Sequence, residues 1–307
     1  MNSSRLAVIV PTKDRPTELS RLLRSLASQS CPPAQVVVIG EDQTEVGISR
    51  EWSGLNVDYF AMPGGSTSAK RNLGVKKVRD DIRLIGYMDD DSVLAGDDAL
   101  RGMVAFWDQA PASVGGAGFN WLNWVSGRTS WIKRVPGASA LALYDDRPGV
   151  VLRSGFHTVP GKVKETTFFS WLPTGAVVYR REIFEEYAFD EWLTGFSYLD
   201  DLDFSYRVGK KYRLAVVPDA GFLHLSSPKG HDDPIKLGEK HVVNLLYFVS
   251  KNRELSVGLC LFGLLLRGVR NVLRSIWRWD SLLLKRAAGN WKGLLKVAVR
   301  GLRPVET

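Results

Sequence analysis

Leu84-Ile-Gly-Tyr-Met-Asp-Asp-Asp91 is a five-residue apolar run that stops on three consecutive carboxylates. A short apolar run following a helical stretch reads as a strand buried on both faces. Two similar runs precede it. Leu6-Ala-Val-Ile-Val10 is rich in β-branched residues and halted by Pro11, and Val36-Val-Val-Ile39 follows the breaker Pro32-Pro33. Between these two, Leu19, Leu22, Leu23, Leu26 and Ala27 recur at helical spacing, with Pro16 near the helix start. Strand, helix, strand, helix, strand predicts an α/β fold whose central sheet is mainly parallel and wound by right-handed crossovers. Ligands of such sheets bind beyond the carboxyl ends of the strands. The residues to watch are therefore Thr12-Lys13-Asp14-Arg15, Glu41-Asp42-Gln43 and Asp89-Asp90-Asp91.

Further along, residues 112–170 are rich in Gly and Trp, with Trp121, Trp124 and Trp131 among them, and have weak periodicity. Irregular strands and loops are expected there. Pattern returns at Trp171-Leu-Pro-Thr-Gly-Ala-Val-Val-Tyr179, followed by a charged helix start over 180–186, a helix near 200–210 and a strand over Arg213-Leu-Ala-Val-Val217. At 307 residues the chain is long enough for one large α/β core or two fused halves. Cys31 and Cys260 stand too far apart for a disulfide framework or a zinc-ligand spacing, which points to a reducing compartment. No secretion signal is legible in the first residues. The net charge is +8, and residues 267–307 hold ten Lys or Arg against two acids, which accounts for the whole surplus. The basic character therefore belongs to the tail, and the body must be read by its own motifs.

Four clusters carry chemistry. Three crowded carboxylates at Asp89-Asp90-Asp91 repel one another unless a cation sits among them, and hard oxygen ligands suit Mg²⁺ or Mn²⁺. An acidic loop or helix cap is the alternative. Gly64-Gly65-Ser66 feeds a helix bearing Lys70 and Arg71 in its first turns, where backbone N–H groups and two cations attract phosphate. A capped helix with a solvated basic face explains the same residues. No Walker-type signature is present, which disfavours adenylate-kinase-like chemistry. Leu199-Asp200-Asp201-Leu202-Asp203-Phe204-Ser-Tyr-Arg207 opens a helix pattern. Asp200 and Asp203 share a helix face while Asp201 points elsewhere, so one carboxylate can be structural and another freed for proton abstraction, with helix capping as the competing account. His224 follows a strand at its carboxyl end, as a packed residue or a ligand.

These pieces occur in the order seen in inverting glycosyltransferases of family 2, and residues 5–225 resemble that family, whose fold is called GT-A. The resemblance implies a nucleotide-diphosphate sugar donor, with a UDP- or dTDP-sugar expected, and a glycan or lipid-linked acceptor hydroxyl. By the same resemblance, Pro11, Thr12, Asp14, Arg15, Asp42, Lys70, Arg71, Asp89 and Asp90 bind the donor nucleotide, with Asp42 the candidate for the base. The family's alanine-arginine-asparagine helix start appears as Ala69-Lys70-Arg71-Asn72, with one extra residue, so either Lys70 or Arg71 faces the diphosphate. Asp91, Asp89 and His224 are the expected ligands of Mn²⁺ or Mg²⁺. Asp201 is the expected general base and Asp200, which stands where the family has glutamate, a supporting catalytic contact to the acceptor. Trp171, Thr174 and Gly175 fall where the family shapes the acceptor pocket, though core packing also explains Trp171. The implied division is a nucleotide-sugar-binding half over 1–115, an acceptor-binding and catalytic half over 116–232 and a helical tail over 233–307. A sugar nucleotidyltransferase, or a membrane-attached binding or scaffold protein with a degenerate site, is the rival class.

In that tail the uncharged run Leu255–Leu266 is too short to span a bilayer. Arg267, Arg270, Arg274 and Arg278 recur at steps of three and four, as one basic stripe among Leu266, Val269, Leu273, Ile276 and Trp277. With Trp279 and Trp291 nearby, residues 255–303 read as an in-plane anchor on anionic lipid, and the protein as cytoplasmic and peripheral at the inner membrane face. Packing on its own domain or in a homodimer is the alternative. No nucleic-acid module accompanies the stripe, so nucleic acid is not expected as a partner.

Overall fold

The computed structural model describes residues 5–42, 54–125, 141, 143–225 and 233–305. The chain divides into two compact units. One comprises residues 1–126, 159–191 and 201–230, the other 127–158, 192–200 and 231–307.

The first unit contains β1 (Leu6–Pro11), α1 (Pro16–Ala27), β2 (Gln35–Gly40), β3 (Val57–Ala61), α2 (Thr67–Lys77), β4 (Leu84–Met88), β5 (Ser92–Leu94), α3 (Ala99–Gln109), β6 (Val114–Trp121), β7 (Thr167–Phe169), β8 (Ala176–Arg180), α4 (Ile183–Glu186), most of α5 (Asp200–Gly209) and β9 (Arg213–His224). Among the described residues the strands form one sheet of order β3-β2-β1-β4-β8-β6-β9-β5, with β7 added against β9. From the pairings, β1, β2, β3, β4, β6 and β9 run one way, and β5, β7 and β8 the other. The sheet is thus mainly parallel, as the helix-separated apolar runs require, with reversed strands in its second half.

Alternation along the strands assigns the two faces. Leu6, Val8, Val10, Val36, Val38, Leu84 and Met88 face a core shared with Leu22 and Leu26 of α1 and Leu100 and Met103 of α3. Ala7, Ile9, Val37, Ile39, Ile85 and Tyr87 face the opposite core with Phe204 and Val208 of α5. Both faces are covered, which is why these strands read as unbroken apolar runs.

Two expectations change here, and a third, of irregular strands, becomes specific. The strand expected over 213–217 continues to His224. The charged helix start over 180–186 yields only the four residues of α4, because Arg180 still belongs to β8. Part of the irregular 112–170 region is the eight-residue strand β6. Its glycines hid it, and packing demands them, since a Cβ at Gly116 would come 2.6 Å from the Tyr179 ring and one at Gly115 2.7 Å from Tyr212.

In the second unit α6 (Pro234–Lys251), α7 (Val257–Arg278) and α8 (Ser281–Arg300) pack together, each capped by a side chain, Asp233, Ser256 and Asp280 respectively. Glycines let α6 and α8 approach closely: a Cβ on Gly289 would stand 2.0 Å from the Ile235 carbonyl oxygen. Asn290 donates to the Gly238 carbonyl and accepts from Asn271, while Glu239 pairs with Lys292 and Lys296. No helix among the described residues is long and apolar enough to cross a membrane. The tail's arginine stripe does not lie outward as a unit. Arg267 and Arg270 are half-buried, and the exposed face of α7 is apolar, carrying Phe262, Leu265, Val269, Leu273, Ile276 and Trp277. Trp279 is exposed as well, whereas Trp291 packs on Gly268.

Candidate active site

Strand register assembles the acidic cluster. Asp89, Asp90 and Asp91 follow the carboxyl end of β4, and β5 then pairs antiparallel with the end of β9, setting Ser92 opposite His224. The Leu225 N–H donates to the Asp91 carbonyl at 2.9 Å. His224, 133 positions along the chain, is thereby brought to Asp91, Nε2 to Oδ1 2.8 Å. One ligand atom from each of Asp89, Asp91 and His224 lies within 4.8 Å of the others. Asn123 holds His224 from behind, its Oδ1 accepting the His224 N–H at 3.1 Å and its Nδ2 donating to the His224 carbonyl at 2.9 Å.

Asp90 has a different part. Its oxygens accept from Thr12 Oγ1 at 2.9 Å and Arg15 Nη1 at 2.8 Å, and Arg15 also reaches Asp91 Oδ2 at 3.3 Å. Asp14 turns the chain into α1 with a left-handed φ of 54°, a conformation aspartate tolerates better than most residues. Burial pushes the Asp90 carboxyl up to about 7, against the pull of Arg15 and Thr12, and the neighbouring Asp91 adds to the rise. Burial disfavours a charged His224, but the hydrogen bond to Asp91 and the charges of Asp89 and Asp91 prevail, and its pKa is raised.

The α2 helix brings the cations. Ser66 caps it, accepting from the Ala69 N–H, and Gly74 lies so near β1 that a Cβ would sit 2.4 Å from Ile9 Cγ2. That contact seats Lys70 and Arg71, one turn earlier, at the sheet edge, where both are buried. Lys70 Nζ donates to the Thr12 carbonyl at 2.9 Å and to Glu41 Oε1 at 2.6 Å, and Glu41 Oε2 accepts from the Gly64 N–H. Arg71 Nη2 donates to Asp89 Oδ1 at 2.9 Å and Thr174 Oγ1 at 2.8 Å. Lys70 therefore serves the ends of β1 and β2, and Arg71 the acidic cluster. Asp42, exposed at the end of β2, has its carbonyl engaged by the Tyr59 hydroxyl.

A cluster able to hold a divalent cation, braced by Arg15 and Arg71 at the carboxyl edge of a mixed sheet, suits a phosphorylated ligand. The model of the family described as Glycosyl transferase family 2 matches residues 7–188, well over half of the chain. The chain belongs to glycosyl transferase family 2.

No curated protein matches it. Among solved structures it is similar to S. aureus TarS, at 19% identity and a TM-score of 0.53, covering 87% of this chain and 43% of that one. The chain thus spans less than half the length of that protein. It is also similar to the mannosyltransferase PcManGT from Pyrobaculum calidifontis, solved with GDP-Man and Mn²⁺, at 14% identity and a TM-score of 0.57 over 94% of this chain and 87% of that one. GalNAc-T7, solved with UDP, GalNAc and Mn²⁺, gives 15% identity and a TM-score of 0.52 over 79% and 48%. At these identities the likeness establishes the GT-A-like fold.

In this family member, Asp201 occupies the first turn of α5. Its Oδ1 accepts from the Leu202 N–H at 2.7 Å, and its carbonyl accepts from Ser205 Oγ, which itself accepts from the Leu172 N–H. Asp201 and Arg71 flank one tyrosine: burial raises the Tyr179 phenol, the Asp201 charge adds to the rise and Arg71 opposes it. Asp203 is tied within the helix to Arg207 at 3.0 Å, a structural pair. Asp200 is buried in the second unit, its N–H donating to the Ser197 carbonyl. Ser197 and Leu199 both adopt left-handed backbone, φ 48° and 73°, which for leucine costs about 1–3 kcal/mol. Thr174 and Gly175 support the aspartates, Thr174 through Arg71 and Gly175 by accepting from the Asp89 N–H and Ser92 Oγ. Trp171 is 3% exposed, which favours core packing over stacking on a sugar. Asn123 and Ser92 were not singled out by the sequence, since their roles arise from contacts between distant strand ends; Glu41 was marked at the end of β2, but its pairing with Lys70 was not.

Proposed function

We propose that this enzyme transfers a sugar from a nucleoside-diphosphate donor to a hydroxyl of a glycan or lipid-linked acceptor by single displacement, with inversion at the anomeric carbon. The observation that carries the reading is the convergence of Asp89, Asp91 and His224 beside Arg71. Two carboxylates and an imidazole fit Mn²⁺ or Mg²⁺, and the nitrogen ligand favours Mn²⁺. When bound, the cation supplies positive charge to the leaving diphosphate. Arg71, bound to Asp89, is assigned to the diphosphate, Lys70 braces the nucleotide side with Glu41, and Asp42 is left to meet the base. Asp201 takes the proton of the acceptor hydroxyl as its oxygen bonds to the anomeric carbon and the bond to the diphosphate breaks. A screen of UDP-, dTDP- and GDP-sugars by thermal shift tests this. One donor nucleotide should stabilise the protein only with Mn²⁺, by about 2.7 kcal/mol at 100 times its Kd. Equal stabilisation with and without metal contradicts the reading, and binding without turnover favours a non-catalytic carrier.

The same reading puts the enzyme, peripherally, on an anionic membrane face in the cytoplasm. The apolar outer face of α7, flanked by the exposed Arg274 and Arg278, supports it. Replacing Leu273 and Trp277 together by serine should weaken binding to anionic vesicles by on the order of 100-fold, given about 1.5–3 kcal/mol per buried side chain. Co-flotation with vesicles measures this, and unchanged binding assigns the face to a partner helix or second copy.

A further inference from the structure

The second unit holds a cavity of about 220 Å³ between α7 and the segment 143–158. Leu143, Leu152, Phe156 and Leu266 give it apolar walls, and Arg267 and Arg270 reach it from α7. Among the described residues, the groups that act on the Arg267 charge are Tyr198, Arg286, His157 and His241, and none of these is a carboxylate. Among the described residues no hydrogen bond or ion pair engages its guanidinium. Arg270 finds only the neutral Asn271 Oδ1, at 3.0 Å. Asp145, the one acid in the wall among the described residues, is turned to Arg147, 2.7 Å away. Burial lowers the pKa of both arginines, that of Arg270 to about 10. His157 and His241 are held neutral by the same burial and by Arg267.

Two half-buried guanidinium groups at a cavity with apolar walls are costly to the fold when no carboxylate pairs with them, and none among the described residues does so. A phosphoryl group would do so, since its oxygens match the arginine fork and accept two donors each. The cavity is smaller than the roughly 300–1,000 Å³ of pockets that enclose whole small molecules, so it suits a headgroup and not a nucleotide. Helix geometry says where the rest of the ligand goes. Gly263, Leu266, Arg267 and Arg270 share the cavity face of α7, and the exposed Phe262, Leu265, Val269 and Leu273 form the flank roughly 100° round.

We propose that this cavity binds the phosphate headgroup of an anionic amphiphile, its oxygens on Arg267 and Arg270 and its chain leaving along the apolar flank of α7. The proposal extends the membrane reading from a general surface to one defined headgroup site, and it is independent of the transfer chemistry.

The test uses the full chain with monomeric dihexanoyl phosphatidic acid and, separately, inorganic phosphate. The lipid near 100 times its Kd should raise Tm by roughly 5 °C, and phosphate at the same concentration far less. Arg267→Leu should abolish the shift and raise the Tm of the unliganded protein, because an uncompensated charge is removed. Arg270→Gln, a milder change, should weaken lipid binding at least about tenfold. A full lipid shift in both variants overturns the site, and an equal shift from inorganic phosphate overturns the amphiphile. Trp277→Ser, exposed on α7 but outside that flank, separates this from the membrane reading: vesicle binding should fall while the short-chain lipid shift persists, and loss of that shift counts against the headgroup site.

Discussion

Asp91→Asn is expected to reduce turnover by on the order of 10³-fold and to remove Mn²⁺ dependence from donor binding. Asp91 is the residue on which the cluster closes, through His224 Nε2 at 2.8 Å and Arg15 Nη1 at 3.3 Å. Replacing one carboxylate oxygen by an amide keeps the side chain's shape while taking a charge from both partners. His224 then loses the charged acceptor that counters its burial, so its pKa moves down. Arg15 retains Asp90, which limits the damage to the fold. The effect should therefore appear as lost metal affinity in Mn²⁺ titrations, with circular dichroism unchanged. Wild-type turnover in this variant would mean that the aspartate cluster is an acidic loop braced by arginine.

The second large effect is expected at Asp201. Asp201→Asn should lower kcat by about 10²–10⁴-fold, the range for loss of a positioned general base. Binding of donor and Mn²⁺ should stay within a factor of about two of wild type, because none of the contacts described for Asp89, Asp91 or His224 uses the Asp201 side chain. Single-turnover kinetics alongside thermal shift with the donor separates the two quantities. Parallel loss of kcat and donor binding would place Asp201 in the donor site instead. Asp203→Asn makes the contrast, since its carboxylate braces Arg207 within α5 and its replacement should be felt as stability.

Much of this arrangement is legible in the chain because each half of the sheet is written in a different code. Strand β4 could be read to the residue, since Leu84–Met88 is buried on both faces and nothing polar interrupts it. Strand β3, Val-Asp-Tyr-Phe-Ala at the sheet edge, escaped because its residues are only half-buried and its alternation is weak. The glycines of β6 conceal a central strand, since their positions are dictated by Tyr179 and Tyr212 across the packing. At the site, the aspartates and Lys70-Arg71 were visible by type and order. Which cation meets which acid was not, because it depends on how closely Gly74 lets α2 approach Ile9. Asn123 left no signal at all, as its work is done on the His224 backbone. On α7 a count of arginines every three or four residues could not tell an outer stripe from an inner one. The 143–158 segment decides that Arg267 and Arg270 turn toward the cavity and leave the leucines outside.

The most direct measurement is anomalous diffraction at the manganese edge from crystals grown with Mn²⁺ and the nucleoside diphosphate found by the screen. A single manganese peak touching Asp91 and His224, with diphosphate oxygens on it and the Asp201 carboxylate facing the open side of the β-phosphate, is the expected result. A peak away from Asp91, or an Asp201 carboxylate separated from the diphosphate by the sheet, would contradict sugar transfer at this cluster.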